Sequence, residues 1–182
     1  GNNGNLVTAQ KEILATYTQP VILSLNNSVG VSINKVVAVD ELQLIYGSFR
    51  TGALTPIYVT GTTPGKVSGG SAYAFVSGPL KRALPAGASL PSYQYPLGVA
   101  PAAFMDKTAS YLPFELVNPV TTPDLNPAEV QVSVHHAVTG LPISPLTNLE
   151  QRYWQVLRYG ASNVSSWQVR LTAPSVTAGS LI

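Results

Sequence analysis

The sequence predicts an all-β fold, an antiparallel β-sandwich, with a short β-solenoid-like N-terminal part as the variant kept open. Three observations carry this. Short β-branched and aromatic runs recur between Gly, Pro, Asn, Ser and Thr punctuation. The 182 residues hold 15 glycines and 15 prolines, yet only 10% are charged, where about 25% is usual. That composition excludes coiled coils, long amphipathic helices and charge-driven disorder. A 45% hydrophobic content in a chain of this length allows roughly 70% of the unfolded surface to be buried, enough for one core or two small ones.

Taken in order, strand runs are read at 21–25, 29–33, 36–39, 42–46, 57–60, 73–76, 112–117, 129–136, 153–159 and 167–172. The clearest alternation places Val130, Val132 and Val134 on one face and Glu129, Gln131, Ser133 and His135 on the other, a half-buried strand. The last run repeats the pattern with Trp167, Val169 and Leu171 inward and Trp167 as a core anchor. Prolines at 85, 91, 96 and 101 forbid helix over 84–101 and make it an extended connection. Single helical turns are expected at 102–109 and 145–151, and glycine- and proline-driven turns at 61–65 and 68–71.

The expected organisation is an extended N-terminal arm or exchanged strand over 1–25, then a β-sandwich domain over 26–182 with a sub-boundary near 81–101. Residues 39–54 offer apolar pairs separated by glycine turns, one or two rungs of a solenoid. About three repeats are normally needed for such a stack, so a sandwich using both halves is the expectation.

Function classes narrow by absence. There is no cysteine, hence no disulfide, thiolate nucleophile or sulfur-ligated zinc. A formal charge of +2 with no basic run longer than Lys81-Arg82 leaves no electrostatic footprint for nucleic acid. No window of about 18 apolar residues predicts a membrane span, and no signal-peptide pattern opens the chain. The start Gly1-Asn2-Asn3-Gly4-Asn5 reads as a processed or trimmed polypeptide, a mature chain or an excised fragment.

Candidate chemistry is sparse. His135 and His136 are neighbours on a strand and point to opposite faces, a poor grip for one metal ion. No Gly-x-Ser-x-Gly elbow accompanies the serines, and the eight acids are scattered or adjacent, as in Asp40-Glu41, rather than paired across a cleft. Asp124-Leu125-Asn126 gives only two side-chain oxygens before Pro127. No catalytic, cofactor-binding or metal residue is therefore assigned, and no cofactor is expected. Tyr93, Tyr95 and Trp154 are the candidates for a sugar-stacking surface, although most aromatics belong to the core. Asn26-Asn27-Ser28 and Asn163-Val164-Ser165 have glycosylation spacing. The apolar finish Val21, Ile22, Leu23 and Leu25 is the candidate assembly segment, since an extended peptide satisfies the open edge of a neighbouring sheet.

The runs Phe75-Val76-Ser77-Gly78-Pro79-Leu80-Lys81-Arg82-Ala83-Leu84-Pro85, Tyr95-Pro96-Leu97-Gly98, 111–119 and Arg152-Tyr153-Trp154, in this order, resemble a β-rich module of large secreted and cell-surface proteins of Bacteroidetes-type bacteria, the adhesin-like proteins associated with type IX secretion. The similarity spans about residues 40 to 172. The resemblance implies an extracellular or cell-surface, mostly non-catalytic building block, with no catalytic residues to carry over. The chain departs from it in lacking an evident C-terminal sorting domain and in its long N-terminal segment, which leaves open a module cut from a larger protein or a small subunit. The expected role is a non-enzymatic, self-associating structural subunit of a filament or adhesin. Its partners are copies of itself or neighbouring modules. The alternative is a carbohydrate-binding sandwich that takes a glycan.

Overall fold

The computed structural model describes residues 5–6, 21–87, 89–100, 110–122, 127–136, 152–159 and 164–172. Its strands are β1 Asn5–Leu6, β2 Ile22–Asn26, β3 Val31–Ile33, β4 Val37–Val39, β5 Glu41–Thr51, β6 Ile57–Val59, β7 Val67–Gly69, β8 Ala74–Ser77, β9 Leu80–Leu84, β10 Tyr93–Tyr95, β11 Gly98–Val99, β12 Ser110–Tyr111, β13 Phe114–Thr121, β14 Ala128–His136, β15 Arg152–Tyr159 and β16 Val164–Leu171. Among the described residues a single 3-10 turn, Pro64–Lys66, interrupts them. The fold is all-β, and every strand run read from the sequence falls on a strand. The two expected helical turns lie outside the described residues.

Strands β1 to β9 pair only in parallel with one another, and from β2 onward chain neighbours lie on different faces. One face stacks β1, β2, the first half of β5 and β7, with Leu23 beside Leu42 and Leu42 beside Val67. A second stacks β3, the second half of β5 and β8, with Val31 beside Phe49 and Phe49 beside Val76. The third stacks β4, β6 and β9, with Val37 beside Ile57 and Ile57 beside Leu80. The chain visits the three faces in turn and returns each time one strand further on, giving coils over 22–40, 41–66 and 67–84. Alternate residues point inward, so like side chains stack, Leu25 on Leu44 and Val39 on Val59, until Arg82 takes the next place after Val59. The leucines and valines among these are buried, each contributing about 2 kcal/mol of hydrophobic stabilisation.

Strand β5 passes from the first face to the second without a loop. A register shift between Leu25 and Asn26 leaves Ile45 as an extra residue, so Ile45 and Tyr46 both face solvent. Gly47 follows with φ +95°, which only glycine adopts without strain. Here the parallel pairing departs from the antiparallel expectation. Paired strands lie about one coil apart in sequence, a crossover connection rather than a hairpin, and short-range alternation does not reveal the partner.

From β10 onward the new pairings are antiparallel: β10 with β13, β13 with β16, β11 with β12, β9 with β14 and β14 with β15. The third-face sheet therefore runs β4, β6, β9, β14, β15 and changes from parallel to antiparallel at β9. The extended connection over 84–101 holds β10 and β11. One hydrophobic cluster joins both halves. The Tyr95 hydroxyl donates to the Val130 carbonyl at 3.3 Å and the Trp154 indole to that of Leu112 at 3.1 Å, tying the sheet of β10 to the sheet of β14.

Candidate assembly surface

Each described carboxylate is held by a cation. Asp40 and Glu41, where the coil over 22–40 ends and the next begins, receive Lys66 at 2.5 and 3.7 Å. Glu115 on β13 pairs with Arg170 on β16 at 2.7 Å. On the outer face of the third sheet Glu129 accepts from the Tyr58 hydroxyl at 2.5 Å and from Lys81 at 2.6 Å. Lys81 lies 4.2 Å from the Tyr58 ring centroid and 5.1 Å from that of Tyr159. Burial pushes the Glu129 carboxyl up, but the hydrogen bonds from Lys81 and Tyr58 and the Lys81 charge outweigh it and hold the group below the usual range. Both carboxylate oxygens are occupied, which makes the cluster a clamp across β6, β9 and β14.

Arg82 is the one charged side chain buried among the described residues. It takes the inward position that Val39 and Val59 hold in the preceding coils. Its guanidinium donates to the carbonyls of Gln94 at 2.8 Å, Thr63 at 3.0 Å and Pro64 at 2.9 Å and lies over Tyr93 and Tyr95. Burial pulls its proton affinity down, and the two tyrosines partly offset this. Planar fork geometry suits a donor that must reach three carbonyls at once.

The Ser133 hydroxyl lies 2.8 Å from His135 Nε2, two residues along one strand face, and the imidazole stacks on Tyr153 at 5.3 Å. Ser133 is buried, and no carboxylate among the described residues orients the imidazole. Nor do the described residues bring three His, Asp or Glu side chains together as a metal site would. No helix among them is long and apolar enough to cross a membrane.

The sugar-stacking candidates do not form a surface. Tyr93 and Tyr95 are buried, with hydroxyls spent on the carbonyls of Thr62 and Val130 and the Tyr95 ring edge-on to Phe114 at 5.6 Å; Trp154 is half-buried against the core. The assembly candidates are also internal. Leu23 and Leu25 are buried, Val21 and Ile22 half-buried, and β2 sits between β1 and β5 of its own chain. The boundary expected after residue 25 thus falls inside a core strand, because Leu23 and Leu25 are the inward rungs of a coil rather than the tip of an arm. His136 and Arg152 belong to β14 and β15, and Asn163 lies outside the described residues.

No family model, no curated protein and no solved structure matches the chain. The geometry alone points to a site, and it points to an edge. Among the described residues β16 pairs with β13 only. Trp167, Val169 and Leu171 share the face of buried Leu116 and Phe114 across that ladder, yet they remain 37%, 44% and 47% exposed. The ladder is irregular twice: an extra residue on β13 between Val117 and Val120, where Asn118 has φ +45°, and an extra residue on β16, Ser165, opposite the step from Val120 to Thr121, so β16 is regular from Ser166 to Leu171. Arg158 of β15 flanks the strand, donating to the Val164 carbonyl at 3.2 Å. Beyond the Ser165 bulge the edge over 166–171 carries no proline or lysine, and such an edge is a template for another strand.

A second exposed feature is the pair Tyr46 and Tyr73, stacked at 6.3 Å with 15° between ring planes and 46% and 71% exposed. They meet because Gly47 is in register with Ala74 on successive coils. Sequence alternation reads Trp167, Val169 and Leu171 as an inward row with Trp167 a core anchor, and the structure corrects this: all three are exposed, because β16 is the last strand of its sheet among the described residues. The 27-residue spacing that unites the tyrosines carries no local signal.

Proposed function

We propose that this chain is a non-enzymatic structural subunit or module that self-associates through β-strand pairing, as in an extracellular surface filament or adhesin. The observation that carries the reading is the β16 edge: an eight-residue strand whose apolar row is exposed and which, among the described residues, pairs on one side only. The described carboxylates support it further, since each is engaged by a cation and none stands free to act as acid or base. In this reading the parallel coils form a short β-solenoid and the antiparallel strands close it as a sandwich-like pair of layers. An extracellular location rests on the resemblance to secreted surface modules and is tested by fractionating cells of the source. Sedimentation velocity and negative-stain microscopy across a concentration series test self-association. Growth of dimers or fibres with concentration supports it; a monomer throughout refutes it.

Carbohydrate binding is a second reading, and the observation that favours it is the exposed Tyr46–Tyr73 pair. It replaces Tyr93 and Tyr95, whose rings are inside. Aromatic faces of this kind stack on the apolar face of a sugar ring, and a glycan array read against a Tyr46→Ala/Tyr73→Ala double variant decides it.

A further inference from the structure

We infer that β16 pairs with β16 of a second copy of this chain, antiparallel across a two-fold axis centred on Val169. This rests on the self-association reading above and names its edge, partner and register.

Opposite residues of an antiparallel pair share a face, so only registers whose opposed numbers agree in parity place apolar against apolar. Centring on Val169 sets Val169 against its own copy, Trp167 against Leu171 and Leu171 against Trp167. All three members of the exposed row are then covered at once. On the opposite face this register sets Gln168 against Arg170. Arg170 is the one charge on the strand, and it is already neutralised by Glu115 at 2.7 Å, so the two-fold opposes no like charges. Shifting the centre to Gln168 puts Ser165 against Leu171 and leaves the apolar row unmatched at its ends. The pairing makes one continuous sheet from β10, β13 and β16 of each copy. It also supplies hydrogen-bond partners to the side of β16 that has no strand partner among the described residues. A two-fold contact of this kind closes on itself, so the edge joins copies in pairs, and a longer assembly grows from another surface.

The absence of native cysteine gives a direct test. Opposed residues on antiparallel strands have Cβ atoms about 4.5–5.5 Å apart, near the reach of a disulfide. Val169→Cys, oxidised with copper phenanthroline, is expected to give a covalent dimer as its main species on non-reducing gels. Leu54→Cys, at an 89% exposed position away from β16, stays monomeric. Val169→Lys places a cation on the axis and is expected to weaken association at least about tenfold, a loss of about 1.4 kcal/mol. Circular dichroism of both β16 variants checks that the fold survives. If the wild-type chain associates while Val169→Cys cross-links no better than Leu54→Cys and Val169→Lys associates normally, this edge is not the interface and the broader reading stands. If the wild type sediments as a monomer up to about 100 µM, a weak-complex concentration, the broader reading fails and this inference with it.

Discussion

Arg82 on β9 donates from Nη1 to the carbonyl of Gln94 on β10 at 2.8 Å, while its Nη2 holds Thr63 and Pro64 in the turn between coils. One side chain thus fastens the last parallel coil to the first antiparallel strand. The arrangement is costly in desolvation and has no carboxylate to offset it, so the three carbonyls are what keep the cation inside.

Arg82→Met fills similar space but leaves those carbonyls without their donor. We expect a loss of about 3 kcal/mol, read as a lower urea midpoint, and Arg82→Lys to recover only part of it because an ammonium lacks the fork.

Gly47 carries a left-handed φ, and a Cβ there would run into the Asn27 carbonyl of the neighbouring coil. Gly47→Ala is expected to cost about 3 kcal/mol in chemical denaturation. At Gly65 a Cβ would meet open space, so Gly65→Ala should stay within about 0.5 kcal/mol of wild type.

Because Glu129 has a lowered carboxyl pKa in the fold, the folded state binds fewer protons than the unfolded chain below the ordinary glutamate range. Its contribution is complete above about pH 4.3 and fades as pH falls through the folded value. Tyr58 behaves oppositely: burial first, then Glu129, raise it, so its contribution is lost on the alkaline side, above about pH 10. Thermal melts from pH 7 to 2 should fall less steeply for Glu129→Gln than for wild type.

Leu23 is buried on β2 between two neighbouring strands. Leu23→Ala should cost about 3 kcal/mol, measured by urea unfolding. Deleting residues 1–25 should abolish the cooperative transition rather than merely prevent assembly. A truncated chain that melts like the full one would show that β2 is a dispensable arm.

How much of this was legible in the sequence depends on range. Val130, Val132 and Val134 announce a strand and one buried face through alternation alone, and the structure buries all three; it also buries Gln131 and Ser133 on the face expected to be polar and open, because β14 lies between β9 and β15, so the strand is more than half-buried. Partner identity is different: Leu23, Leu42 and Val67 stack across separations of 19 and 25 residues, unequal intervals that no short window detects. The same irregular coil length hid the meeting of Tyr46 with Tyr73 and made Leu23 and Leu25 look like a detachable strand. Tyr93 and Tyr95 were indistinguishable from surface aromatics because neighbouring prolines mask the strand that carries them inward. The apolar row of β16 was readable as a row. That its strand is the last of its sheet among the described residues is a property of topology.

The switch of pairing direction at β9 has a consequence for how such a molecule changes over generations. The coils stack one on the next, so a copy of one whole turn inserted ahead of 41–66 leaves in place the contacts which that coil makes with the antiparallel strands, Tyr58 with Glu129 and Thr62 with Tyr93. Stack height is thereby an independent variable. A lineage can lengthen the spacer by duplicating a segment such as 41–66 while the joint made by Arg82 and the edge at β16 stay unaltered.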